Sequence, residues 1–143
     1  MPFIDESFVK IDWSEEDECI VADWKGVGRG AEYRAALDRS LELVRRRKAR
    51  RWLAIMVEAQ GVMAPEDTEW LVHDWFPRLL ALGAKRFAVV LPPQALAAMQ
   101  LNRLKREIDE EKESPDAFRN RYFDDVDKAR AWLAEGSQAA EKR

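Results

Sequence analysis

The sequence predicts an α/β domain with a single mixed, mostly parallel β-sheet, helices packed on it and an N-terminal β-hairpin. Two short runs, residues 52–57 and 87–91, are almost entirely apolar, as strands are when helices cover both faces of a sheet. Amphipathic helical patterns separate such runs along the chain, which indicates parallel strands joined by helical crossovers. Apolar and polar residues alternate in the first 25 positions, as in strands with one buried face.

Two alternating segments around the acidic turn 14–18 predict the hairpin. Its apolar positions are Val9, Ile11, Trp13, Ile20, Ala22 and Trp24. A first helix is predicted over residues 31–48, because apolar side chains recur there at helical spacing. They are Tyr33, Leu37, Leu41 and Val44. Residues 52–57 then form the first central strand.

The second helix is predicted to begin at Pro65, which suits a first helical position, and to end at Gly83, a suitable cap. Pro77 lacks a backbone amide, so this helix should kink or restart there. Residues 87–91 form the second central strand.

The remaining pattern gives a third helix over residues 97–108, a charged connection over 109–115, a short strand at Tyr122 and Phe123 and a final helix from Val126. The predicted order is therefore β-β-α-β-α-β-α-β-α. We expect one domain over residues 1–135 and a frayed tail over residues 136–143.

Composition limits the function classes. The chain has 143 residues and a net charge of −3, which disfavours nucleic-acid binding because such proteins carry basic faces. We expect no membrane span, because no apolar run is long enough. A single cysteine excludes an internal disulfide and fits a reducing compartment, so the cytoplasm is the expected location.

Catalytic and metal-binding residues are scarce. His73 is the only histidine and lies far in sequence from Cys19, so neither a Ser-His or Cys-His pair nor a zinc site is expected. Acidic neighbours of Cys19 oppose a reactive thiolate. We therefore expect no enzymatic activity, no metal and no cofactor.

Two further motifs allow functional alternatives. Residues 26–31, with three glycines and a final alanine, fit a dinucleotide-binding turn, but Asp23 and Lys25 interrupt the preceding strand and an ordinary flexible connection is preferred. The basic run 45–51 could bind an anion. A solvated helix end explains it more simply, because basic residues complement the helix dipole.

Apolar side chains indicate a binding surface. Trp52 and Trp75 are expected in the core, and four more tryptophans compete for the remaining space: Trp13, Trp24, Trp70 and Trp132. Exposed tryptophan is typical of interfaces and apolar ligand pockets. The second helix also has two apolar stripes, whereas a helix covering a sheet needs one. Its candidate interface or ligand-pocket residues are Trp70, Trp75, Phe76 and Leu80.

Several segments resemble the SpoIIAA-like branch of STAS-related bacterial proteins. They are Glu69-Trp70, Asp74-Trp75-Phe76-Pro77, residues 83–92 (GAKRFAVVLP), residues 121–125 (RYFDD) and residues 129–133 (ARAWL). The resemblance implies a STAS or CRAL-TRIO type of α/β sandwich, often a homodimer, in a branch whose role is mostly unassigned. The phosphorylatable serine of the anti-sigma-factor antagonists has no counterpart, because residues 58–65 contain no hydroxyl.

These observations favour a non-enzymatic STAS-like regulatory or protein-interaction module. We expect a homodimer whose two-fold interface includes part of residues 70–82, and a protein partner is the natural extension. The alternative is a carrier or sensor of a small apolar ligand, as the CRAL-TRIO likeness allows. A filled core with an exposed apolar patch favours the first, and a lined cavity between sheet and helices favours the second.

Overall fold

A computed structural model describes residues 3–26, 30–58, 64–95 and 119–141, with side-chain surroundings as far as residue 135. Its strands are β1 (Ile4–Asp5), β2 (Val9–Ser14), β3 (Cys19–Trp24), β4 (Arg51–Ile55), β5 (Arg86–Val90) and β6 (Arg119–Phe123). Its α-helices are α1 (Gly30–Arg47), α2 (Pro65–Trp70), α3 (Phe76–Ala81) and α4 (Val126–Glu141). A π-helical turn, Leu71–Trp75, joins α2 to α3.

The six strands form one sheet in chain order, β1 to β6. The pairs β1–β2 and β2–β3 are antiparallel, whereas β3–β4, β4–β5 and β5–β6 are parallel. This arrangement confirms the predicted mixed, mostly parallel sheet with an N-terminal hairpin. It also confirms that the two apolar runs are adjacent parallel strands in the middle of the sheet.

After their first residues, Arg51 and Arg86, the central strands are entirely apolar because each face of the sheet has its own helical cover. Trp52 and Phe87 belong to the core beneath α1, α3 and the π turn. Leu53 and Ala88, the next residue of each strand, belong to the core beneath α4. Successive strand residues point to opposite faces, so neither face leaves room for a polar residue.

The strand ends differ from the predicted ones. Both central strands begin one residue earlier, at Arg51 and Arg86, and end before the predicted residue 57 or 91. The two-residue strand β1 was not predicted, because a segment that short has no periodicity. Its Ile4 pairs with Ile11 of β2 and is buried, so a tertiary contact defines this strand.

Pro77 interrupts the second helix, as predicted. The amide of Phe76 donates to the carbonyl of Leu71, five residues back, and closes the π turn. Pro77 then occupies the first turn of α3, where its missing amide costs no helical hydrogen bond. We call α2, the π turn and α3 together the interrupted helix (residues 65–81). It ends before Gly83, whose φ of +102° suits glycine.

The C-terminal part also differs. The last strand extends over five residues rather than the two that were predicted. The final helix continues past Gly136 to Glu141, where the sequence predicted a tail. A glycine inside a helix costs only about 1 kcal/mol, so Gly136 alone does not stop the helix. The predicted third helix, residues 97–108, and the connection 109–115 lie outside the described residues.

Candidate interaction surface

The interrupted helix divides its apolar residues between the core and solvent. Trp75 and Leu79 are fully buried, and the indole Nε1 of Trp75 donates to the carbonyl of Leu37 in α1 at 2.9 Å. Val72 and Leu80 face solvent, with 51% and 42% of their surface exposed. The two predicted stripes are therefore both present, but only one of them is covered within the described chain.

Phe76 lies between these stripes and belongs mainly to the core. It is partly buried, and its ring contacts Trp75 and Phe87 at centroid distances of 5.3 and 5.2 Å. Trp52 continues the same aromatic group, since it packs edge-on against Trp75 at 5.2 Å and stacks on Phe87 at 5.7 Å. Two of the four predicted site residues, Trp75 and Phe76, thus anchor the helix to the sheet.

Trp70 is only partly exposed, because charged and aromatic side chains surround it. The guanidinium groups of Arg34 and Arg78 lie 5.6 and 5.8 Å from its ring centroid. Tyr33 packs edge-on against it at 6.2 Å. Cation–π contacts of this kind hold an indole in a defined orientation. The exposed apolar surface of this helix therefore consists chiefly of Val72 and Leu80.

A buried carboxylate fixes the start of the interrupted helix against α1. Asp67 is only 2% exposed. One carboxylate oxygen accepts a hydrogen bond from the backbone amide of Gly30 at 3.0 Å, and the other accepts one from Arg34 Nε at 3.2 Å. Burial and the Asp67 charge both raise the pKa of the neighbouring Tyr33 hydroxyl. The sequence indicated Asp67 only as an acidic residue of the first helical turn. Its burial and its contacts with α1 were not predicted, because these partners are 33 and 37 residues away.

The histidine and the cysteine lie in different environments. His73 is exposed, and its Nε2 lies 3.3 Å from Glu69 on the same helix. Cys19 is buried in the core beneath α4. Burial, assisted by the charge of Asp17, raises the pKa of its thiol to about 12, and so disfavours a thiolate.

The tryptophans are more buried than their number suggested. Trp24 and Trp132 are both buried, as are the expected core residues Trp52 and Trp75. Trp13 and Trp70 keep partial exposure. Trp24 reaches burial by packing between Phe8 and Tyr33, at 6.3 and 5.7 Å.

The acidic hairpin turn pairs with basic side chains from three elements. Arg47 at the end of α1 contacts Glu15, and Arg51 at the start of β4 contacts Glu18. Arg130 of α4 makes two hydrogen bonds to Asp17, at 2.9 and 3.2 Å. Glu42 pairs with the other two arginines at the end of α1, Arg45 and Arg46. Four arginines of the basic run 45–51 are thus paired with carboxylates of the same chain: Arg45, Arg46, Arg47 and Arg51.

A different basic group lies at the amino-terminal ends of the parallel strands. Arg51, Arg86 and Arg119 occupy the same register position in β4, β5 and β6. The sequence gives a local signal for two of the three, since Arg51 and Arg86 stand directly before the apolar residues of β4 and β5, whereas Asn120 and Arg121 separate Arg119 from Tyr122. The row itself forms only when the strands pair, because its members are distant from one another in the sequence.

Two classes of site are absent from the described part of the chain. No group of three histidine, cysteine or carboxylate side chains there could hold a metal ion. None of its helices is long and apolar enough to cross a membrane.

Comparison with known proteins gives one similar structure. No protein-family model matches the chain, and no curated protein matches it. The chain is similar to the crystal structure of an uncharacterized protein from the DUF3478 family with a SpoIIAA-like fold, from Shewanella loihica PV-4. The identity is 15%, the match covers 91% of this chain and 98% of that one, and the TM-score is 0.47.

Proposed function

We propose that the protein is a non-enzymatic regulatory module that acts through protein contacts and self-associates through the outer face of the interrupted helix. The observation that carries this proposal is the exposure of Val72 and Leu80 on a helix whose other stripe already fills the core. An isologous dimer covers such a face with its own copy, which is the commonest arrangement in soluble oligomers.

The charges around the exposed residues are compatible with self-pairing. Glu69 and Asp74 supply negative charge on this helix, and Arg78 supplies positive charge. An apolar centre with a charged rim is the usual composition of a protein interface.

The alternative function, a carrier of a small apolar ligand, has less support. The space between the sheet and the interrupted helix contains aromatic rings in direct contact, from Trp52 through Trp75 and Phe76 to Phe87. A pocket for an apolar molecule needs part of that volume. The packing therefore supports an interaction module with a filled core.

The state of the reactive side chains supports a role without catalysis. A nucleophile has to be activated by a base or by a lowered pKa, whereas Cys19 is buried with a raised pKa. His73 is exposed, and its imidazole lies beside Glu69 on the same helix. A hydrolase and phosphatase screen should therefore give no turnover. Activity that disappears in His73→Ala or Cys19→Ala, with the fold intact, would contradict the proposal.

The assembly is tested by native mass spectrometry and light scattering at micromolar concentration. We expect twice the chain mass of 16.6 kDa and no retained ligand. Val72→Glu should give a folded monomer, because it places a charge in the interface centre. Val57→Glu is the matched control, since Val57 is an equally exposed valine, at 47%, outside the interrupted helix; it should remain a dimer.

Two results would contradict this assignment. A wild-type mass of one chain would exclude the dimer. A monomer that retains an apolar molecule through purification would favour the carrier instead.

A further inference from the structure

The arginine row at the amino-terminal edge of the sheet places like charges side by side. Arg51, Arg86 and Arg119 are direct neighbours across β4, β5 and β6. Each lies two residues before Leu53, Ala88 or Arg121, so strand alternation puts all of them on the face that α4 covers. Like charges directly opposite each other destabilise a sheet. This arrangement therefore calls for a compensating negative charge.

Within the described chain, Glu18 and Glu135 lie near the first two arginines of the row, and no carboxylate lies near the third. Arg51 contacts Glu18 at 3.3 Å, although its buried Nε has no hydrogen-bond partner among the described residues. The carboxylate nearest to Arg86 is Glu135, at 4.0 Å. Arg119 and Arg121 are exposed, and within the described part of the chain neither has a carboxylate within salt-bridge distance. Counting only the residues that the structure describes, positive charge is thus in excess at the β5–β6 end.

The neighbouring arginines are close enough to influence one another. Burial lowers the pKa of Arg86, and the charges of Arg119, Arg51 and Arg121 lower it further, while Glu135 opposes them. The strand register agrees with this influence, since Arg51 and Arg119 flank Arg86 on the two neighbouring strands. Elsewhere in the described chain, arginines such as Arg78 and Arg130 each have at least two carboxylates nearby.

Arg86 is also held in a fixed position. Its guanidinium lies over the ring of Trp132 at 4.7 Å, and its Nη1 donates to the Trp132 carbonyl. A stacked guanidinium keeps its remaining donors oriented, and ordering it on binding costs little entropy. The guanidinium group of Arg86 is thus held in one orientation on the strand next to the two exposed arginines of β6.

We propose that Arg86, Arg119 and Arg121 bind the phosphate group of a small phosphate monoester. Among the described residues, Glu18 and Glu135 offset Arg51 and Arg86, and two positive charges are left, on Arg119 and Arg121. A phosphate monoester carries a charge of about −1.5 to −2 at neutral pH and offers three acceptor oxygens. The planar guanidinium fork matches such oxygens in bidentate geometry. A single carboxylate would balance only one of the two charges.

This site is independent of the proposed dimer surface. The arginines lie on the sheet face that α4 covers, whereas Val72 and Leu80 belong to the interrupted helix on the opposite face. A variant that loses phosphate binding can therefore still be tested for dimerisation, and a monomeric variant can still be tested for phosphate binding. The mass measured by light scattering should not change when Arg119 and Arg121 are replaced.

The test is an NMR titration of the full chain with inorganic phosphate and, separately, with O-phosphoserine, against sodium chloride at matched ionic strength. We expect saturable shifts of the β6 amides with phosphate. The double variant Arg119→Gln, Arg121→Gln should bind at least about tenfold more weakly, because it loses charge-assisted hydrogen bonds. The matched control is Arg45→Gln, Arg46→Gln, whose arginines are exposed but paired with Glu42; it should bind like the wild type.

The two titrations, with inorganic phosphate and with O-phosphoserine, also distinguish a free phosphate ion from a phosphate ester. Binding of both compounds assigns the site to esters, and binding of inorganic phosphate alone assigns it to the free ion. Shifts that chloride reproduces, or an equal loss of affinity in both double variants, would overturn the proposal, since either result indicates general charge screening.

Discussion

At the scale of single residues, Asp67 shows how a buried charge can stabilise a junction between two helices. A carboxylate removed from water is costly unless hydrogen bonds replace its hydration. Asp67 has both oxygens occupied, by the Gly30 amide and by Arg34. Because Gly30 begins α1 and Asp67 lies in the first turn of α2, this one side chain holds two helix starts together.

Replacing Asp67 should therefore destabilise the protein. Asp67→Asn keeps one acceptor oxygen but removes the charge. Its amide nitrogen, a donor, then faces another donor, either the Gly30 amide or Arg34 Nε. We expect a loss of about 1–3 kcal/mol in the free energy of unfolding, measured by urea denaturation.

The control for this variant is Asp38→Asn. Asp38 pairs with Arg78, and both side chains are exposed, so its loss should cost at most about 1 kcal/mol. Equal effects of the two substitutions would show that burial of Asp67 does not strengthen its hydrogen bonds.

At the scale of elements, the acidic turn between β2 and β3 acts as an internal counter-ion. It links the hairpin to α1, β4 and α4 through Arg47, Arg51 and Arg130. The contact between Asp17 and Arg130 has the best geometry, because both carboxylate oxygens accept hydrogen bonds. It joins segments that are 113 residues apart in the chain.

A double-mutant cycle with Asp17→Asn and Arg130→Met should detect this link. Both side chains retain some exposure, so solvent screening limits the coupling to about 1 kcal/mol. The coupling should fall in high salt. A coupling free energy of zero at low salt would show that the contact between Asp17 and Arg130 does not stabilise the fold.

The elements also show where sequence patterns are sufficient and where they are not. Val9 to Trp24 alternate and form the predicted hairpin, and the runs at 52–57 and 87–91 form the central strands, because burial itself creates these patterns. Strand β1 and the length of β6 depend on pairing with distant neighbours. The arginine row and the Asp67 junction arise only when the strands and helices are side by side.

The candidate surface was predicted in part. Periodicity correctly gave two apolar stripes on the interrupted helix, but it could not assign each stripe to core or solvent. The ring contacts of Phe76 place it in the core, whereas Val72 is exposed. Arg34 and Arg78 partly cover Trp70, and no local pattern indicates that distant arginines will lie over one indole.

At the scale of the whole molecule, Cys19 makes stability depend on pH in the alkaline range. Its thiol pKa rises from 9.0 to about 12 on folding, chiefly through burial. The folded state therefore keeps a proton that the unfolded state loses. This contribution to stability is intact below pH 9 and is lost as pH rises between the two pKa values, by up to about 1.4 kcal/mol per pH unit.

Cys19→Ala should flatten that part of the pH profile. Urea denaturation at pH 8 and pH 10.5 would measure the difference between the variant and the wild type, so that other groups titrating in this range cancel. Identical pH slopes for the two proteins would contradict the role given to Cys19.

The order of strands in the sheet has a consequence for synthesis. Because β1 to β6 lie in chain order, each new strand can pair with the one made just before it as the chain leaves the ribosome. The cover of one sheet face, α4, is made last of all described elements. Until it docks, Leu53, Ala88 and Val90 remain open to water, and exposed apolar strands of this kind associate with other chains. Among the described elements, the emergence of α4, rather than completion of the sheet, is thus the step that shields these residues from other chains.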